Sequence, residues 1–283
     1  MKVAILADIH GNLQALEAVL KDISQLEVDR VIVNGDLVNR GPSNVEVLES
    51  LWNESFIFTL GNHDDLVCKW QDRAEDLPQS WFEDPFWKAT AWVSEQLARA
   101  NWLPELRTLP MIYRLEPELS PSVLVSHGSP RHYREGYSNY LPDDDVLGIA
   151  TAFPADIFVG SHTHSPLDRK VSGVRLLNTG AVGSPFNGDK RAQYLIMHQQ
   201  KESWQAEFRA LHYDHEAALK AYETSGMLEE GGLSAYIFRE EVRYARSLFT
   251  PFFMWTEAEG VEQSWDTWAR FKQAKPERFA SLS

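Results

Sequence analysis

The sequence predicts an α/β fold, because three short apolar runs alternate with helix-patterned segments and each run ends in a polar string. Val3 to Ala7 is the first run and stops at Asp8. Val31-Ile32-Val33 is the second and stops at Asn34-Gly35-Asp36. Phe56-Ile57-Phe58 is the third and stops at Gly61-Asn62-His63-Asp64. Runs this short, apolar on both alternating faces, read as strands covered on both sides.

Between the first two runs, Leu13, Leu16, Val19, Leu20 and Ile23 recur at helical spacing within Gly11 to Leu26. Between the second and third, Pro42 sits near a helix start, and Val45, Leu48 and Leu51 share one face. Further strands are expected at Met111 to Leu115, Val123 to Ser126, Ile157 to Val159 and Val174 to Asn178, with a last pair at Gln193 to His198 and Ser203 to Leu211. The segment at about 70–105 carries Trp70, Trp81, Trp87, Trp92 and Trp102, and a helix is expected from Phe86 to Arg99. Asp143-Asp144-Asp145 reads as a helix N-terminus, where acidic groups meet the positive end of the dipole. After Leu211 the pattern becomes helical and more polar. The expected organisation is therefore one α/β unit over 1–211 and a mostly helical C-terminal appendage over 212–283.

Composition narrows the partners. With 43% hydrophobic residues the chain can bury a large core. The net charge of −14 argues against long nucleic acids, whose phosphates would meet a repulsive field. A small phosphorylated substrate stays open, since a metal centre reverses the local sign inside a cleft. The single cysteine, Cys68, permits no internal disulfide, reads as a small buried residue, and fits a reducing compartment. The N-terminal apolar run is too short for a secretory segment, and no stretch approaches the roughly 20 apolar residues of a membrane helix. The expected location is the cytoplasm.

Five of the nine histidines lie in short strings just past strand ends. The strings are Asp8-Ile9-His10, Gly35-Asp36, Gly61-Asn62-His63-Asp64, Ser126-His127-Gly128 and Gly160-Ser161-His162-Thr163-His164. In an extended segment, residues two apart point the same way, so Asp8 with His10, and His162 with His164, are expected to grip one centre. Carboxylate, imidazole and amide oxygen suit manganese, iron, cobalt, nickel or zinc, and the lack of thiolates argues against a closed structural zinc site.

Taken together and in this order, the strings resemble the calcineurin-like metallophosphoesterase superfamily over about residues 1–210, whose pattern is D-x-H, G-D, G-N-H-[DE], H and G-H-x-H. Gly35 to Pro42, Gly61 to Asp64 and Asn178 to Gly183 are most similar to the compact bacterial phosphodiesterases. The resemblance implies two mixed β-sheets packed as a sandwich and flanked by helices. It implies two divalent metal ions, manganese foremost, with Asp8, His10 and His164 on the first, Asn62, His127 and His162 on the second, and Asp36 between them. His63 would face the substrate as a phosphate contact or proton donor, with Asp64 or its neighbour orienting it. The implied chemistry is hydrolysis of a small phosphorylated substrate, a phosphodiester foremost, by metal-activated hydroxide.

Two departures from the family pattern stand out. Ser161 replaces the usual glycine before the first histidine of G-H-x-H. Asn39 replaces the aspartate that protein serine/threonine phosphatases carry in G-D-x-x-D-R-G, while Arg40 is kept as a phosphate contact or an ordinary surface residue. A phosphoprotein phosphatase, a dinucleoside polyphosphate hydrolase and a non-catalytic metal-binding scaffold remain as alternatives. Arg131 to Arg134 is either a second phosphate contact or a solvated loop. The tryptophan-rich segment is either core or a cap over an aromatic group, and Leu248 to Trp255 is a cap, core or subunit contact.

Overall fold

A computed structural model describes residues 1–117 and 120–280. The chain opens with strand β1 (Lys2–Leu6), helix α1 (Leu13–Ile23), β2 (Arg30–Asn34), α2 (Asn44–Trp52), β3 (Ile57–Thr59) and α3 (Asn62–Asp72). Helices α4 (Lys88–Arg99) and α5 (Leu103–Leu106) lead to β4 (Ile112–Leu115) and β5 (Val123–Ser126). Next come α6 (Asp143–Ala152), β6 (Ile157–Gly160), β7 (Leu167–Val171), β8 (Val174–Asn178), β9 (Ala192–Gln199) and β10 (Trp204–Leu211). Four helices close the chain: α7 (His215–Thr224), α8 (Met227–Tyr244), α9 (Phe249–Glu259) and α10 (Trp265–Ala274).

The strands form two mixed five-stranded sheets, in the orders β10-β9-β1-β2-β3 and β4-β5-β6-β8-β7. In the first, β1, β2 and β3 run parallel while β9 pairs antiparallel with β1 and β10. In the second, β5, β6 and β8 run parallel, with β4 and β7 antiparallel at the edges. The period-2 alternation of strand side chains makes the sandwich. Val3 and Ile5 of β1 face inward onto Val123, Val125, Ile157 and Val159 of the other sheet. Ala4 and Leu6 face outward into the cluster that packs α1 to α4. On the far side, Leu124, Phe158 and Leu176 pack against Val146 and Ile149 of α6.

The helices after residue 211 pack into the same apolar cluster as α1 to α4. Leu219, Tyr222, Phe238, Phe249, Phe252, Trp268 and Phe271 are all buried there. Helix α8 carries a kink at Gly232 (φ 59°, ψ −135°). Just before it, Gly231 lies against α4, where an added Cβ would sit 3.2 Å from the Ala89 backbone. The tryptophan-rich segment is largely structural: Trp87 and Trp92 are buried, and Trp81 stacks on Trp87 with ring centroids 3.8 Å apart.

The one strand absent from the sequence reading, β7, has the sequence Leu-Asp-Arg-Lys-Val. Its three central charged residues lie at the sheet edge, where one face and one ladder are open to water. Hydrophobic pattern is blind to such strands. Helix α3 was also unannounced, because its first residues are the Asn62-His63-Asp64 string itself.

Asp22 of α1 ties the helix to the sheet. It accepts from Arg209 Nε and Nη2 of β10, both at 2.8 Å, and from the Tyr194 hydroxyl of β9. Partial burial works to raise the Asp22 carboxyl, but the Arg209 and Tyr194 hydrogen bonds outweigh it and hold the pKa below its ordinary value. A depressed pKa means the bonds stabilise the fold above the unfolded carboxylate value and fade as pH falls through the folded one. Asp22→Asn is expected to cost about 1 kcal/mol near neutral pH in thermal or urea unfolding. The gap to wild type should begin to narrow below about pH 4, where the unfolded carboxylate protonates, and close once the folded carboxyl protonates as well. A pH-independent gap would show that the charge of Asp22 is not what matters.

Candidate metal centre

Every string picked from the sequence converges at one end of the sandwich, where the parallel strands deliver their C-terminal loops. Asp8 and His10 follow β1, Asp36 follows β2, Asn62 and His63 open α3, His127 follows β5, and His162 and His164 follow β6. Asp8, His10, Asp36 and His164 offer ligand atoms within 4.8 Å of one another, and so do Asp36, His127 and His162. The two groups share Asp36. His164 Nε2 lies 3.2 Å from Asp8 Oδ1, and His127 Nε2 lies 3.2 Å from Asp36 Oδ2. His10 Nε2 lies 3.6 Å from Asp36 Oδ2 and 3.3 Å from His164 Nε2.

Backbone conformation aims these side chains, and it differs from the extended geometry expected of them. Asp8 and His10 have φ of 53° and 50°, Asp36 53°, and His162 and His164 57° and 56°. Left-handed residues at alternate positions turn both side chains of Asp8-Ile9-His10 to the same centre. Each such residue costs about 1 kcal/mol or more, and outliers of this kind gather where a site dictates geometry. Gly61 is needed for a different reason: a Cβ there would lie 2.0 Å from the Asp36 amide nitrogen.

The far nitrogens of three imidazoles are anchored to carbonyls. His127 Nδ1 meets Asn34 O at 2.9 Å, His10 Nδ1 meets Val38 O at 3.3 Å, and His164 Nδ1 meets Ser184 O. Each anchor holds a proton on Nδ1 and turns the Nε2 lone pair inward, the arrangement a metal-binding histidine requires.

The inner atoms lack partners. Both oxygens of Asp8, Asp36 Oδ2, Asn62 Oδ1 and His127 Nε2 are buried and make no hydrogen bond among the described residues. Unpaired buried carboxylate oxygens are costly, so the cluster demands positive charge. His127 reports the same demand: burial pushes its pKa down, yet the Asp36 and Asp8 carboxylates outweigh burial and raise it to about 10. Burial and the neighbouring His127 lower His162 to about 3, and burial likewise lowers His10, leaving neutral imidazoles suited to ligation. Oxygen and nitrogen donors around a shared carboxylate fit divalent cations of the hard to borderline kind.

Around this cluster, sequence reasoning had left several supports unassigned. Asn34 Nδ2 donates to Ser126 O and Ser161 Oγ at 3.0 Å, while its Oδ1 accepts from Thr59 at 2.6 Å. Ser161, in place of the family's glycine, is therefore fully used: its hydroxyl also meets Thr179 at 2.9 Å. Buried polar residues at strand ends were the available signal, but their partners lie up to 127 positions away.

Asp64 or its neighbour was expected to orient His63, but the Asp64 carboxylate makes its hydrogen bonds to backbone amides instead. Fully buried, it accepts from four backbone amides: Asp36 at 2.8 Å, Leu37 at 2.9 Å, Gly61 at 3.0 Å and Val38 at 3.3 Å. It locks the Gly-Asp loop against the start of α3. Burial and then Asp36 push its carboxyl up to about 7, against the pull of the Gly61 and Val38 amides.

His63 is held instead by Asn39 and Arg40. Asn39 Oδ1 accepts from Arg40 N at 2.8 Å, which leaves Nδ2 to donate to His63 Nδ1 at 3.0 Å. Arg40 Nε donates to His63 Nε2 at 3.2 Å, so a donor stands at each ring nitrogen. A neutral imidazole accepts at only one nitrogen, so in either tautomer one of these two donors is left for another acceptor, such as a phosphate oxygen.

Arg40 is no ordinary surface residue: it is 8% exposed and ion-paired with Glu241 of α8. Glu241 also accepts the amides of Leu248 and Phe249 at 2.7 and 2.8 Å, capping α9. Phe186 and Phe238 flank the guanidinium at 5.6 and 5.3 Å. In the 131–134 loop, Arg131 pairs with Glu135, Tyr133 donates to Asp65, and Arg134 lines the cleft beside His63.

Two mixed sheets with flanking helices and a buried aspartate–histidine cluster define the metallophosphoesterase class of scaffold. A model of the calcineurin-like phosphoesterase family matches residues 1–166, and the chain belongs to that family. An uncharacterized protein of Methanocaldococcus jannaschii is 31% identical over 238 residues, covering 78% of this chain and 90% of that protein. A symmetrical bis(5'-nucleosyl)-tetraphosphatase of Pseudomonas putida is 40% identical over 154 residues, spanning 53% of this chain and 46% of the relative. The crystal structure of a metallophosphoesterase from Sphaerobacter thermophilus covers 87% of this chain and all of its own, with 26% identity and a TM-score of 0.65.

Glu241→Ala would strand Arg40 without its counter-charge and uncap α9. Unfolding of the metal-free protein should then show a loss of about 3 kcal/mol, as for other broken buried pairs. Glu241→Gln, which keeps an acceptor for the α9 amides, should lose less. Equal stability of Glu241→Ala and the parent would contradict this account of the pair.

Proposed function

We propose that the protein is a dinuclear metal-dependent phosphoesterase acting on a small phosphorylated substrate, with a phosphodiester as the favoured class. The observation that carries this reading is the set of buried, unpaired oxygen and nitrogen donors sharing Asp36 and opening on His63 and Arg40. In this proposal Asp8, His10 and His164 hold one divalent cation, Asn62, His127 and His162 hold the other, and Asp36 serves both. Manganese is the first candidate, with iron, nickel, cobalt and zinc as others. Such cations, when bound, supply Lewis acidity that activates water and polarises the phosphoryl group.

The chain's own residues complete the work. Anchors on the far nitrogens keep His10, His127 and His164 preorganised, so no reorientation is required as substrate binds. Arg40, fixed by Glu241 and Asn39, presents its Nε–H to a phosphoryl oxygen. His63 presents Nε2–H to the leaving-group oxygen and stabilises or protonates it as the P–O bond breaks. Asn39 matters here because it sets the tautomer, a task the aspartate of the protein phosphatases would perform with opposite hydrogen-bond polarity.

A second reading, hydrolysis of a dinucleoside polyphosphate, is favoured by the similarity to the Pseudomonas putida tetraphosphatase over 154 residues. The two are separated by turnover of bis-p-nitrophenyl phosphate, p-nitrophenyl phosphate and diadenosine tetraphosphate by metal-stripped protein with manganese restored. The proposal expects metal-restored hydrolysis, with the diester cleaved faster than the monoester. His63→Ala should slow a poor, alkyl leaving group by about a hundredfold or more and p-nitrophenol departure by less. Undiminished cleavage of the alkyl ester would remove His63 from the mechanism. Absence of hydrolysis with any of the five metals would overturn the enzymatic reading.

A further inference from the structure

The cleft in front of His63 continues away from the metal cluster as a pocket of about 340 Å³. One end is polar, formed by Arg40, His63 and His162, and the other is aromatic, formed by Trp87, Phe249 and Phe253. Phe249 and Phe253 belong to α9, outside the residues 1–166 that match the family. Two of the three rings at the aromatic end therefore come from beyond the residues that match the family model.

Its walls are rigid. Trp87 is clamped by Trp81 and meets Phe249 and Phe253 edge-on, at 5.7 and 6.2 Å between ring centroids. Phe249 stacks on Phe86 at 4.8 Å and on Phe238 at 4.9 Å. Phe253 stays partly exposed. Trp87, only 7% exposed, carries an indole N–H that makes no hydrogen bond among the described residues. A buried donor without an acceptor is unusual, and indole N–H groups normally find one. On the remaining side stands Arg134.

An aromatic wall and a cation, continuous with a phosphate-facing end, set narrow requirements on an occupant. An aliphatic tail would leave Arg134 unused. A bare sugar would ask for more hydrogen-bond partners than an aromatic wall offers. We propose that this pocket is a subsite for a nucleobase carried on the phosphate substrate, stacked against Phe253 with its polar edge toward Arg134. The proposal rests on the phosphoesterase reading above and narrows its substrate class to nucleotides.

The test is equilibrium binding of AMP, ribose 5-phosphate and inorganic phosphate to the full-length, manganese-loaded protein, read by tryptophan fluorescence and calorimetry in the cold. AMP should bind about tenfold more tightly than ribose 5-phosphate, the scale of one base stacked on one aromatic side chain. Phe253→Leu, which keeps apolar volume while removing the ring, should erase most of that advantage and leave inorganic phosphate affinity unchanged. Phe253→Tyr should retain it, which separates loss of the ring from loss of the fold. Equal affinity for AMP and ribose 5-phosphate, with phosphate still bound, would overturn the subsite alone. Failure of all three ligands to bind would overturn the subsite together with the phosphoesterase reading.

Discussion

Two carboxylates, Asp8 and Asp36, are buried side by side, and both oxygens of Asp8 and Oδ2 of Asp36 make no hydrogen bond among the described residues. An uncompensated buried charge costs several kcal/mol, so this arrangement persists only if positive charge is supplied. Most of the site's architecture follows from keeping that charge in place. Left-handed backbone at five residues aims the donors inward, and carbonyl anchors fix three imidazole tautomers. Asp64 sits one layer further out and spends both oxygens on amides of the Asp36 loop and Gly61. The sheets deliver these loops to one end, and the apolar layers on both faces of each sheet make that end rigid.

The helices after β10 turn a metal scaffold into a shaped cleft. Through Glu241 they hold Arg40 and cap α9, and α9 in turn supplies Phe249 and Phe253 to the pocket. The polar and aromatic parts of the cleft are thereby linked by one buried ion pair. The net charge of −14 leaves the protein repulsive to polyanions in general. Arg40, Arg134 and the cations the cluster demands make the cleft a local exception, which suits small anions better than long ones.

Much of this was legible in the sequence because both sheets are covered on two sides. Fully buried strands such as Val123–Ser126 and Ile157–Gly160 read as apolar runs, and their ends mark where site residues fall. The strand that escaped, β7, is a charged edge strand with no apolar run to find. Asp8, His10, Asp36, His127, His162 and His164, which the structure brings together, stood out because ligand chemistry needs those residue types in short strings. The left-handed backbone behind them was not foreseen, since an extended segment explains the same spacing equally well. Arg40 could not be separated from a surface arginine because its partner, Glu241, lies 201 positions away. Asp64 was misjudged for the same reason: a neighbour in sequence to His63, it serves the loop at 36–38 instead.

The central claim is that the buried donors exist to hold two divalent cations around Asp36. Metal content and calorimetric titration of metal-stripped protein test it most directly, with wild type and Asp36→Asn measured side by side. Two manganese ions per chain are expected in the wild type, with loss or severe weakening of at least one in the variant. A chain that binds no divalent ion, or one whose binding is indifferent to Asp36→Asn, would contradict it.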